Sequence, residues 1–278
     1  MIKRDFPLRV PMMMGVYSAI LGGAGAMASG LAVPLADLTG SDVGAGWRLS
    51  LLITGGVVVP LALAGWWLVS RGEMRATRAA SFERAPRTGI WRDPVAWQVA
   101  GYMGVQSTTF YILVTWLASM SLATGRSAAV AGVDVMIYQL LSLVGALTVA
   151  LAMRGRGAQI TPAALPILGI TGIVGLMIWP DAVGIWVMPL GLFSGLSLGV
   201  SLTLMAQRAR DHSTSSALSG MSQSVGYAIA AIGPVLFGGV HALTGNWTAA
   251  LVILLVTMTL QGVIGIFAAR DRFVLDRR

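Results

Sequence analysis

The stretch "ALSGMSQSVGYAIAAIGPVLFGG", residues 217–239, carries Ser219, Ser222, Gln223, Ser224 and Tyr227 inside an apolar run without a single charge. At 1.5 Å per residue a helix of this length spans roughly 34 Å, enough to cross a hydrocarbon core of about 30 Å. A run this long, rich in Gly and apolar on all sides, reads as a membrane-spanning helix. The alternating pattern of a membrane barrel strand is absent. Similar runs recur along the chain, and eight spans are read: roughly 9–36, 47–70, 96–122, 127–153, 160–179, 183–207, 214–240 and 247–269. The composition agrees. Of 278 residues 56% are hydrophobic and 11% charged, and the mean hydropathy is +0.78, far from a soluble domain of this size. The expected fold is an all-α integral membrane bundle of eight transmembrane helices.

A net charge of +8 would suit a nucleic-acid surface in a soluble protein, so the position of each cation decides its meaning. Lys3, Arg4 and Arg9 precede the first span; Arg71, Arg75, Arg78, Arg84, Arg87 and Arg92 lie between the second and third. Arg154 and Arg156, Arg208 and Arg210, then Arg270, Arg272, Arg277 and Arg278 fall in every second connection after that. Only Arg48 and Arg126 break the alternation, so 17 of the 19 basic residues lie on one side. By the positive-inside rule that side is cytoplasmic and holds both termini, as an even number of spans requires. The lipid bilayer is then the partner, and nucleic acid is not.

Other classes of chemistry lack their residues. There is no cysteine, which excludes disulfides and thiolate sites. His212 and His241 sit at span ends too far apart to share a metal, and no Ser/His/Asp set or phosphate-cradling loop stands out. Gly22, Gly23 and Gly25 lie inside a span with no strand before them, which is no dinucleotide fingerprint. No enzyme activity, catalytic residue, metal or cofactor is expected, and no protein partner is identifiable. The first span is too long for a signal-peptide core.

The polar residues at membrane depth are the informative ones, because hydrocarbon offers no hydrogen bonds. Helical spacing puts Ser219, Ser222, Gln223, Gly226, Tyr227 and Ala230 on one stripe. Gln106, Ser107, Thr108, Thr109 and Tyr111 form a second polar group in the third span. Each row either bonds to neighbouring helices or lines a solute path. Asp134 is the only acid inside a span, which makes it a functional candidate by default. It either helps couple protons or shapes the outer vestibule, or else is a partly hydrated structural residue near Arg126. Gly191, Gly195 and Gly199, four apart, predict close helix packing, as do Gly22, Ala26 and Gly30 in the first span. Pro234, beside Gly233, predicts a kink. Trp91 and Trp97 suit an interface at the start of the third span.

The long polar connection 71–95 divides the chain into two helices and six. Residues 96–278 resemble the six-helix C-terminal lobe of a major facilitator superfamily transporter, and 1–70 the remainder of an N-terminal lobe. The stretches "WRDPVAWQVAGYMGVQSTTFYILVTWLASM" (91–120) and 217–248 resemble the cyanate and nitroimidazole transporter group of that superfamily, as do "IKRDFPLRVPMMMGVYSA" (2–19) and "GWRLSLL" (46–52). "MRGRG" (153–157) is a degenerate counterpart of the superfamily's Gly/Asp/Arg loop motif. The resemblance implies that the spans correspond to helices five to twelve of a twelve-helix fold, the first four being missing from this sequence. It further implies secondary active transport of a small solute, a cyanate-like anion or a small nitrogen heteroaromatic, across a bacterial inner membrane by alternating access. Helices seven and eleven of such transporters approach the central cavity, so Gln106, Tyr111, Gln223 and Tyr227 are expected to contact solute. Tyr17 and Ser18 are weaker candidates, and a proton is a second candidate partner. The alternative is a non-transporting membrane protein or assembly partner, whose polar rows only hold helices together.

Overall fold

In the computed structural model, the described residues are 43–76 and 89–276, with Met12, Met13, Val16, Leu31 and Leu35 ahead of them. The expected first span, with Lys3, Arg4, Arg9, Tyr17, Ser18 and the Gly22, Ala26 and Gly30 row, otherwise lies outside them, as do residues 77–88 of the basic connection. Every element among the described residues is helical. These are α1 (Val43–Ala76), α2 (Pro94–Ala123), α3 (Ala128–Ala152), α4 (Gly157–Ile178), α5 (Val183–Gln207), α6 (His212–Ala230), α7 (Ile232–Thr244) and α8 (Trp247–Ala268). Short 3-10 turns at Ile90–Arg92 and Pro180–Ala182 precede α2 and α5. The helices fall into two compact units, one holding α1, the other α2–α8.

Among the described residues the first of these units holds one long helix, α1, with Pro60 inside it. The Arg48 guanidinium lies over the Trp47 ring, 5.3 Å from its centroid. Among the described residues six segments are long and apolar enough to span a membrane: Gly46–Gly65 of α1, α3, α4, Pro180–Gln207, His212–Thr244 and α8. α2 is long enough at 30 residues, but its central row from Gln106 to Thr109 lowers its hydropathy. That row is buried in the bundle, so the polarity is hidden from lipid.

The helix ends follow local chemistry. Asp93 caps α2, its carboxylate accepting from the N–H groups of Val95 at 2.7 Å and Ala96 at 3.1 Å, with Pro94 at the first helical position where its missing N–H costs nothing. Asn246 caps α8 through the Thr248 N–H at 2.7 Å. Gly155, in the turn from α3 to α4, has φ +55°, a conformation that L side chains rarely adopt. Trp97 donates its indole N–H to the Trp91 carbonyl at 2.8 Å, and the rings meet edge to face.

Within α2–α8 the tightest seams are made by small residues. A Cβ on Gly191 would lie 2.5 Å from the Tyr138 carbonyl oxygen, one on Gly195 would overlap the Ser142 carbonyl, and one on Gly199 would overlap Val149. Gly145 of α3 faces the Leu192 carbonyl in return. The backbones of α3 and α5 therefore touch, which is how helices gain dispersion energy where lipid supplies no hydrophobic drive. Gly104 of α2 and Gly226 of α6 make a similar contact, with a built Cβ on Gly226 3.2 Å from the Gly104 nitrogen. Near Pro234 the span is interrupted at Ala231, between α6 and α7. Proline has no N–H to offer the Ala230 carbonyl four residues back. The Pro234 carbonyl instead accepts from the Trp116 indole at 2.9 Å.

A second face of α5 is a polar hub. Tyr138 of α3 donates to Ser194 at 2.9 Å, Gln261 of α8 donates to Ser197 at 2.5 Å, and Ser201 donates to the Met103 thioether of α2 at 3.2 Å. Each serine thus reaches a different helix.

Candidate solute-binding site

α2 and α6 lie side by side at the Gly104–Gly226 contact, and the polar rows of both helices split across that seam. On α6, Ser222, Gly226 and Ala230 are buried toward the seam, while Ser219 and Gln223 are half-buried and Tyr227 is exposed. The stripe read from helical spacing is therefore two strips, one packed and one open. Within the open strip the Gln223 amide donates to the Ser219 hydroxyl at 2.8 Å, one turn away.

On α2 the row from Gln106 to Thr109 is buried and Tyr111 is exposed. Gln106 is only 4% exposed; its amide donates to Ser107 at 3.0 Å and approaches the Met103 sulfur at 3.6 Å. Thr108 and Thr109 return their hydroxyls to backbone carbonyls one turn back, Gly104 and Val105, and Thr109 also meets Thr257 of α8 at 3.3 Å. Tyr111, five residues beyond Gln106, is 41% exposed.

The exposed tyrosines of the two helices meet. Tyr111 and Tyr227, the latter 42% exposed, have ring centroids 6.3 Å apart at an interplanar angle of 74°, and Phe110 packs edge to face on Tyr111 at 5.4 Å. Edge-to-face geometry directs a positive ring edge at a negative face and keeps the two rings from covering each other. Tyr111, Tyr227 and Gln223 thus combine aromatic faces, hydroxyls and an amide on one surface. Gln106, being buried, is not on that surface.

Asp134 is at the other end of the scale of exposure, 2%, and fully engaged. The Arg126 Nη1 lies 3.1 Å from both carboxylate oxygens, and the Ser121 hydroxyl donates to Oδ2 at 2.6 Å. The Arg126 Nη2 reaches on to the Asp181 carbonyl at 3.0 Å. This cluster ties the end of α2, the start of α3 and the turn before α5. Nearby, Thr124, Asp181, Asn246, Trp247 and Leu251 line a cavity of about 300 Å³. His241 stacks on Trp247 at 3.6 Å. Among the described residues no group of His, Asp or Glu side chains could hold a metal ion.

Spacing alone did not single out Tyr138, Ser194, Ser197, Gln261 or Ser121. The available signal was polarity at membrane depth in otherwise apolar runs, most plainly for Gln261 in "MTLQGVIG".

The family model of the Major Facilitator Superfamily matches residues 1–234. The chain belongs to the major facilitator superfamily. Over 98% of its length it is 36% identical to a 2-nitroimidazole transporter of Escherichia coli (strain K12), covering 68% of that protein. Over 99% it is 32% identical to an uncharacterized transporter of Bacillus subtilis (strain 168), covering 67% of it. A cyanate transport protein of Escherichia coli (strain K12) is 26% identical over 88% of the chain and 62% of its own length. The chain is therefore an integral membrane protein of a transporter family rather than an enzyme. It is also akin to the cyanate and nitroimidazole group within that superfamily.

Proposed function

We propose that this major facilitator protein carries the solute-contacting helices of a secondary active transporter for a small, flat nitrogen heteroaromatic, moved by alternating access. The observation that carries the reading is the exposed Tyr111–Tyr227 pair on α2 and α6, with Gln223 one turn from Tyr227. Two tyrosines suit a ring that stacks and accepts hydrogen bonds better than a linear cyanate-like anion, for which a fixed cation would be expected. The 2-nitroimidazole transporter among the relatives supports the same class. Tyr111, Tyr227 and Gln223 would touch the solute, and Gln106 would hold α2 in shape.

Asp134 is assigned to the scaffold, since Arg126 and Ser121 already engage its carboxylate; an Asp134→Asn variant with altered pH dependence of transport would reverse that assignment. The basic connections favour both termini on the cytoplasmic side of a bacterial inner membrane.

The test is uptake of radiolabelled 2-nitroimidazole and, separately, cyanate into proteoliposomes. Tyr227→Ala and Gln223→Leu are expected to lower nitroimidazole uptake at least tenfold (about 1.4 kcal/mol) while leaving the melting temperature within a few degrees. Full uptake by both variants would overturn the site. The second reading, a non-transporting membrane protein, draws on the Gln223–Ser219 bond, which a purely structural row also makes. It predicts no uptake by the wild type and lowered stability in Gln223→Leu.

A further inference from the structure

Beyond α8 the chain turns back along the end of its own bundle. Arg208, just past α5 and 6% exposed, donates from Nε to the Ala268 carbonyl at 3.0 Å and from Nη2 to the Ala269 carbonyl at 2.9 Å, capping α8. Its Nη1 stands 3.6 Å from Asp271, and its carbonyl accepts the Val274 N–H at 2.8 Å. Arg210 pairs with Asp276 at 2.9 Å and lies over the Phe273 ring at 4.9 Å.

The next residue reaches a different helix. The Leu275 N–H donates to Asp93 Oδ2 at 2.7 Å, while Oδ1 of the same carboxylate caps α2 through Val95 and Ala96. Leu275 itself has φ +61°, unfavourable for a leucine, and its Cδ2 would lie 2.9 Å from a Cβ on Gly89. Strain of this kind persists where surrounding contacts over-determine it. Here the contacts are the Asp93 acceptor, the Gly89 surface and buried Val274.

We propose that residues 271–276 form an intramolecular strap, and that Asp93 is a positioning residue which divides its two oxygens between that strap and the first turn of α2. The start of α2 is thereby locked to the ends of α5 and α8. Lateral or rotational slack at Asp93 would be carried along the helix to Tyr111. That last consequence rests on the transport reading above; the strap does not.

Hydrogen–deuterium exchange on the full-length chain in nanodiscs tests it. Leu275→Pro removes the donor and imposes a negative φ, so exchange across 90–100 is expected to rise about tenfold or more, the scale of one lost charge-assisted hydrogen bond. Exchange in α3 and α4 should not change. Leu275→Gly, which adopts the same φ freely and keeps the donor but gives up the side-chain contact with Gly89, should keep most of the protection that Leu275→Pro loses. Asp93→Ser retains a cap but not the reach to Leu275, so 271–276 should exchange faster than 95–100. Unchanged protection of 90–100 in Leu275→Pro, or an equal rise in every helix, would overturn the strap. If exchange behaves as expected but solute uptake by Leu275→Pro matches wild type, the strap stands and its link to the solute path falls.

Discussion

Arg126 departs from the alternate-loop pattern of basic residues, and its side chain explains why it is there. It neutralises Asp134 in a 3.1 Å ion pair while keeping 25% side-chain exposure. Removing one partner leaves a charge uncompensated. Asp134→Ala should therefore cost about 2–3 kcal/mol, less than the roughly 3–5 of a fully buried pair because Arg126 remains partly wet. A double Arg126→Leu, Asp134→Leu variant should recover most of that in thermal unfolding. Asp211 shows a different logic at the start of α6. The Ser213 hydroxyl, then the N–H and hydroxyl of Thr214, pull its carboxyl down to about 2. A depressed folded value means the stabilisation is complete above the unfolded value of about 3.9 and is lost as pH falls through about 2. Asp211→Ala should then cost about 1 kcal/mol at neutral pH, and its unfolding curve should converge on wild type as pH drops from about 4 toward 2.

Between helices, the α3–α5 seam is the least tolerant contact. Gly195→Ala puts a methyl group on the Ser142 carbonyl, and overpacking of that kind costs about 1–3 kcal/mol. Gly220, in α6, has open space where its Cβ would go. Gly220→Ala should be neutral or stabilising by up to about 1 kcal/mol. A comparison of the two melting temperatures checks both. The four-residue glycine spacing was legible in the sequence, but its partner helix was not. The polar row of α6 was legible as a stripe, yet the Gly104–Gly226 contact decides that Ser222 faces the seam and Tyr227 does not.

For the molecule as a whole, the absence of cysteine makes topology directly measurable. Single cysteines at Ser127 and Asn246, at one end of the α2–α8 bundle, should react with a membrane-impermeant maleimide in intact cells. Cysteines at Arg156 and Arg272, at the other end, should react only after permeabilisation. The reverse pattern would invert the orientation read from the basic connections. One of the cations counted there also has a structural task. Arg208 is buried as the cap of α8, and burial lowers the affinity of its guanidinium for the proton while Asp271 partly offsets this.

An all-helical membrane protein and its kinship with the major facilitator superfamily were legible in the sequence, while the first of the eight expected spans lies outside the described residues. Length, apolarity and charge placement are one-dimensional properties, and the bilayer reads them directly. Only the tertiary structure decided what each buried polar group does. A hydroxyl or amide in hydrocarbon is costly without a partner, and the sequence announces that cost. Which partner answers depends on the rotation and depth of neighbouring helices. Hence Gln106 turns inward to Ser107 and Met103, Gln261 meets Ser197, and Tyr111 and Tyr227 are left together at the surface.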